Sequence, residues 1–146
     1  MNAHVAKGFN SVILTLQRLG IAFGPMRVLT VAGRKSGVPR ATPVAVQDLG
    51  GKEYVWQAFP NAAWVANVRA ADTVDLAHGR RHRTVRFLEV PVSERGKLLL
   101  DLARQLAKAH RDRMVTNGLA ADNTPEAIAA AADRIAVFRV EDAGSE

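Results

Sequence analysis

The chain has 146 residues, the size of one ordinary domain, and its 48% hydrophobic and 23% charged residues exclude whole-chain disorder. It contains no cysteine, which excludes disulfides, zinc–thiolate sites, iron–sulfur clusters and thiol catalysis and fits a reducing cytoplasm. The 20 basic residues outnumber the 14 acidic ones, and the net charge of +6 favours anionic partners, either nucleic acid or a phosphorylated or polycarboxylate cofactor.

Asn10 or Ser11 can cap a helix over about residues 10–19, in which Val12, Leu16 and Leu19 share one face and which Gly20, Gly24 and Pro25 end. Its apolar run is too short for a signal peptide, and no segment reaches the roughly 18 apolar residues of a membrane span. Peripheral contact of this helix with the inner face of a membrane is the one membrane reading left open. Residues 27–32 are apolar and β-branched and read as a buried strand. Residues 33–39 set two glycines and a proline among basic side chains and read as a loop. A strand over 40–49 follows, with Thr42, Val44 and Val46 on one face and Pro43 placing it at an edge or bulge.

Gly50-Gly51 is a hairpin signal, and the return strand over 52–58 carries Tyr54 and Trp56 on one face. Pro60 and Asn61 introduce a short helix over 62–70. Residues 73–78 and 81–90 read as strands joined by a turn at Gly79-Arg80. Ser93 is the expected cap of a helix striped with Leu99, Leu102 and Leu106, with Ala103 beside them. Residues 111–123 read as polar loop. Thr124-Pro125-Glu126 is a cap, a proline at the first helical position and an acid in the first turn, starting a helix that runs to about 132. A last strand covers 134–140. The expected fold is therefore α+β: a mainly antiparallel six-stranded sheet, closed as a small barrel, with peripheral helices. It is a single domain over 1–146, with a helical segment at about 93–132 before the last strand.

The most informative segment is Gly33-Arg34-Lys35-Ser36-Gly37-Val38-Pro39-Arg40, between two strands. Its glycines allow tight turning, its N–H groups can form an anion nest, and Arg34, Lys35, Ser36 and Arg40 add charge and a hydroxyl. On composition and spacing alone it reads first as a solvated basic hairpin and second as a site. Its glycine spacing is not that of a Walker A loop, and no helix follows. Trp64 and Asn67 share a helical face; they could hold a flat ring, or Trp64 could pack in the core while Asn67 faces water.

The basic hairpin Arg80, Arg81, His82, Arg83 and Arg86 divides its charge between two faces, with Arg81, Arg83 and Val85 on one, which weakens a nucleic-acid reading. His78, His82 and His110 have no partners at metal-ligand spacing and read as surface histidines, so no metal site is expected. There is no Gly-x-Ser-x-Gly elbow, no His-Glu-x-x-His and no convincing carboxylate pair, so no catalytic side chain is assigned. Chemistry on such a chain is more naturally a cofactor's.

The run from Val28 to Pro43, with Gly-Arg-Lys-Ser-Gly-Val-Pro-Arg-Ala-Thr-Pro at its centre, resembles the signature of the deazaflavin-dependent nitroreductase family, largely actinobacterial oxidoreductases that bind coenzyme F420. Trp64-Val65-Ala66-Asn67-Val68 is similar to that family's Trp-x-x-Asn-Leu element. The resemblance implies an FMN-binding split-barrel-like fold and F420 as cofactor, with FMN less favoured. It implies that Arg34, Lys35, Ser36, Gly37 and Arg40 hold the phosphate and polyglutamate tail. Thr42 and Pro43 would line the groove, and Ala58, Phe59, Ala63, Trp64 and Asn67 would lie toward the ring system. The implied reaction passes a hydride from reduced F420 to a small organic acceptor such as a quinone or nitroaromatic compound, in the cytoplasm, with a homodimer as the assembly such barrels often form. The chain departs from the family pattern at Ala58-Phe59-Pro60-Asn61, where the loop is shorter. It departs again at the alanines 129–132, where the family often carries tyrosines; the only tyrosine here is Tyr54. The alternative is a non-catalytic carrier of a deazaflavin, a fatty acid or another hydrophobic anion on the same fold.

Overall fold

The computed structural model describes residues 26–143. The helix expected over 10–19, with the membrane contact attached to it, lies outside the described residues. The strands are β1 (Met26–Ala32), β2 (Pro39–Ala45), β3 (Gln47–Leu49), β4 (Lys52–Trp56), β5 (Val74–His78), β6 (Arg81–Glu89) and β7 (Val137–Asp142). The helices are α1 (Ala63–Ala70), α2 (Val92–Arg104), α3 (Lys108–Thr116) and α4 (Pro125–Ala130).

The strands form one sheet in the order β2-β1-β5-β6-β7-β4-β3, every pair antiparallel. β2 and β3 stand at opposite edges of this sheet, yet only Val46 separates them in the chain. Both facts hold when the sheet curls until its edges meet at that bend. The expected barrel with peripheral helices is thus present, but with seven strands rather than six. The segment 40–49 changes partners at Val46: Ala45 pairs with Met26, whereas Gln47 pairs with Tyr54. Pro43, opposite Val28, lies on the edge strand, where a missing N–H is tolerated.

Period-two alternation builds two cores. Inside the curl, Leu29, Val31, Val44, Val55, Val74, Leu76, Val85, Phe138 and Val140 pack with Trp64, Val65 and Val68 of α1. Outside it, Tyr54 and Val137 meet Leu99, Leu102 and Ala103 of α2 and Ile128 of α4. The same alternation sends Arg27, Glu53, His78, Arg83 and Asp142 to the inner face, at the strand ends opposite α1. Charges on an inner face need partners. Arg83 Nη2 donates to Glu53 at 2.9 Å and to Asp142 at 2.8 Å, closing that end. His78 is not the surface histidine expected: it is half-buried, and its Nε2 is buried with no hydrogen-bond partner among the described residues. Burial, and then Arg27 and Arg81, hold its pKa below the ordinary 6.5.

Four boundaries differ from expectation for identifiable reasons. β4 ends at Trp56, not 58, and β7 starts at Val137, not 134. At that junction the Gln57 N–H still donates to the Ala136 carbonyl at 2.9 Å, but the Ala136 N–H goes to the Gln57 side chain at 3.1 Å, and the ladder ends there. Ser93 is not a cap: α2 starts one residue earlier, after Pro91, and Leu106 falls beyond its end. The segment 111–123 is not all loop, because α3 occupies its first half. This helix buries Met114 and is otherwise polar, with a Lys108–Asp112 pair at 3.1 Å, so it shows no apolar stripe to read. The Thr124 cap is as expected, its hydroxyl accepting from the Ala127 N–H at 3.1 Å.

Candidate functional site

The loop between β1 and β2 is a tight, self-bonded turn. Gly33 N–H donates to the Val38 carbonyl at 2.9 Å, and Gly37 N–H to the Gly33 carbonyl at 2.8 Å. Val38 N–H donates to Ser36 Oγ at 3.1 Å. Gly37 has φ +73°, a conformation that side-chain-bearing residues rarely adopt. Gly33 is required for a different reason: a methyl there would stand 2.9 Å from Ser36 Oγ and 3.3 Å from the Val38 carbonyl oxygen, with Arg40 Nε at 3.7 Å. The glycines thus bring the loop backbone and the Arg40 guanidinium together.

Helix α1 supports this loop from beneath. Its Asn67 is buried, 6% exposed, and its Oδ1 accepts from the Arg34 N–H at 3.0 Å and from Arg34 Nη1 at 2.9 Å. Of the six N–H groups from Gly33 to Val38, four are therefore bonded inside the site. The remaining two, on Lys35 and Ser36, are consecutive and take no hydrogen bond among the described residues. Two successive unbonded N–H groups in a turn are the donors of an anion nest.

Among the described residues no salt bridge joins Arg34, Lys35 or Arg40 to a carboxylate, whereas Arg69, Arg83, Arg86, Arg95 and Arg139 each have at least one. Arg34, Lys35, Ser36, Gly37 and Arg40 are all exposed. The arrangement can therefore hold a phosphate or carboxylate with charge, hydroxyl and backbone donors at once.

Arg34 and Asn67, with Gly33, Ser36, Gly37 and Val38, are joined by hydrogen bonds, and Arg40 stands beside them. Thr42 and Pro43 continue from it along β2, half-buried, opposite Leu29 and Val28. Trp64 is placed differently from a ring-holding residue. It is 8% exposed and packs in the barrel core, edge-on to Phe87 at 6.4 Å and against Phe138 at 5.7 Å between ring centroids. Ala63, Ala58 and Phe59 are exposed. The 57–62 connection is held by Gln57 Nε2, which donates to the Phe59 carbonyl at 2.8 Å, and by Asn117 Nδ2, which donates to the Ala58 carbonyl at 2.9 Å.

Sequence reasoning missed Asn117 and the bond between Asn67 and Arg34. Neither carries a local signal, since the partners lie 59 and 33 residues apart. It also missed the triad that fixes α1 on the sheet. Arg69 of α1 bonds Glu89 at 2.6 Å, and the buried Arg95 of α2 bonds the same carboxylate at 2.9 Å. The Arg69 hydrogen bond, with the charges of Arg69 and Arg95, holds the Glu89 carboxyl below its ordinary 4.5 against the opposing effect of burial.

A family model described as F420H2-dependent quinone reductase matches residues 8–119. Among solved structures, a pyridoxamine 5'-phosphate oxidase-related, FMN-binding protein from Nostoc punctiforme is similar at 7% identity, covering 90% of this chain and 79% of that one with a TM-score of 0.54. The likeness shows the split-barrel fold. A structure described as an F420-H2 dependent reductase is 25% identical over 80% of this chain and 94% of its own, with a TM-score of 0.41. None of the curated proteins compared with the chain matches it.

Proposed function

The chain belongs to the F420H2-dependent quinone reductase family, and on that premise we propose that it binds coenzyme F420 through the 33–40 loop and transfers a hydride from it to a quinone or similar apolar acceptor. The observation that carries the reading is the loop itself. Three cations without a salt bridge among the described residues, the Ser36 hydroxyl and two unbonded N–H groups lie on or beside one turn that its own hydrogen bonds close. These donors fit the phosphate and carboxylates of a deazaflavin tail.

In this reading Arg34, Lys35, Arg40 and Ser36 hold the tail, and Gly37 keeps the turn open. Thr42 and Pro43 form a wall, and Ala58, Phe59 and Ala63 lie toward the ring. When bound, the reduced deazaflavin supplies a hydride donor at its C5. The chain's part is to anchor, orient and exclude water. Phe59 and Val38 are 44% and 51% exposed on segments adjoining the loop and α1, which supports an apolar acceptor over a charged one.

The family match ends at residue 119, leaving α4 and β7 outside it. The acceptor is therefore tested directly, by following anaerobic oxidation of reduced F420 with a soluble quinone and with a nitroaromatic compound. Turnover with the quinone, first order in enzyme, is expected. Tight F420 binding without oxidation by either acceptor would refute the reductase reading in favour of a carrier. No helix among the described residues is long and apolar enough to cross a membrane.

A further inference from the structure

We infer that Asn67 is a positioning residue for the anion grip, acting through Arg34 rather than by contact with a flat ring. The inference rests on the reading of the 33–40 loop as the tail site and assigns that site's internal geometry.

Asn67 is a polar side chain on an otherwise apolar face, with Trp64, Val65 and Val68 as the other buried residues of α1. Its carbonyl oxygen has two lone pairs, and Arg34 fills both, one through the main chain and one through Nη1. The two bonds have different consequences. The main-chain bond takes the Arg34 N–H out of the set of donors available to a ligand, leaving the consecutive N–H groups of Lys35 and Ser36. The guanidinium bond fixes one nitrogen of a planar fork. Nε and Nη2 remain as the donor pair for a bidentate contact to phosphate or carboxylate. One buried oxygen thus decides both which backbone donors and which edge of the arginine meet the anion.

A ring contact and a positioning role differ in which part of the ligand they affect. The test compares F420 with a deazaflavin that lacks the phosphate-bearing tail, on wild type, Asn67→Ala and Asn67→Asp, and follows amide hydrogen exchange at Arg34 without ligand. In Asn67→Ala the Arg34 amide should exchange at least tenfold faster. F420 affinity should fall by about ten- to a hundredfold, while affinity for the tail-less compound stays within about twofold. Asn67→Asp keeps the acceptor, so the Arg34 amide should stay protected. The added anion should still weaken F420 binding and spare the tail-less compound; this variant carries the test if the alanine variant does not fold.

Equal loss of both ligands, or F420 affinity unchanged in Asn67→Ala, overturns the positioning role. So does an Arg34 amide whose exchange does not respond to Asn67→Ala. A wild type that binds no F420 overturns the tail-site reading itself, an outcome separate from the exchange result, which needs no ligand.

Discussion

Replacing Arg95 by methionine should destabilise the fold by about 3 kcal/mol while leaving the anion loop intact. Arg95 is 6% exposed, and its guanidinium makes four hydrogen bonds. Nε donates to the Val90 carbonyl at 2.8 Å, Nη1 to the Ala132 and Ile135 carbonyls at 3.2 and 3.4 Å, and Nη2 to Glu89 at 2.9 Å. These bonds join the end of β6, the start of α2 and the turn before β7. Methionine keeps most of the apolar stem but leaves three carbonyls without this donor and Glu89 Oε2 with Arg69 alone. Breaking a buried pair from one side costs about 3–5 kcal/mol. The lower end applies here, because the Glu89 side chain is 30% exposed and keeps Arg69. For a slope of about 2 kcal/mol/M, the urea midpoint should fall by about 1.5 M with the slope unchanged. A midpoint shift under about 0.3 M would show that these carbonyls are satisfied by water at little cost, and would refute the account of Arg95 as the clamp of the α2–β7 junction.

Gly33→Ala should force the loop apart, since its methyl meets a backbone carbonyl at 3.3 Å, and should weaken F420 binding by about tenfold or more in a direct titration. Lys35→Ala combined with Arg40→Ala removes two unneutralised charges on exposed side chains. It should weaken F420 by about tenfold and flatten the salt dependence of binding, while an unchanged salt slope would remove these residues from the grip. Glu89→Gln tests the triad through pH. The carboxyl's native pKa is depressed, so its contribution to stability is present above the ordinary 4.5 and is lost as pH falls through the native value. The gap in thermal midpoint between wild type and Glu89→Gln should therefore be widest near neutrality and should close in acid. A gap independent of pH would contradict the ion-pair account.

Much of the fold was legible because its signals are local. The β-branched run of β1, the Gly50-Gly51 hairpin and the Thr124 cap each depend on neighbours a few residues away. Pro43 correctly signalled an edge. What could not be read was set by tertiary partners. Val46 looks like one more residue of an alternating strand, and the break there exists because the barrel needs its two edges to meet. Helix α3 is held by polar contacts, such as Arg111 Nε to the Asn123 carbonyl at 2.8 Å, and so shows no hydrophobic period.

The basic loop was visible as a candidate site, but composition could not separate a site from a solvated hairpin. The facts that favour the site are the two unbonded N–H groups and the Asn67 bond, and neither is encoded near the loop. The core placement of Trp64, against Phe87 and Phe138, is one of the two readings its spacing allowed, but Asn67, expected in that reading to face water, is buried.

We propose that the 33–40 loop makes this barrel a receptor for a deazaflavin tail. Equilibrium titration of the purified protein with F420, by fluorescence and with FMN in parallel, tests it most directly. Micromolar or tighter binding of F420, much tighter than FMN and weakened by added salt, is expected. Absence of F420 binding at tens of micromolar, or FMN bound as well as F420, would contradict it.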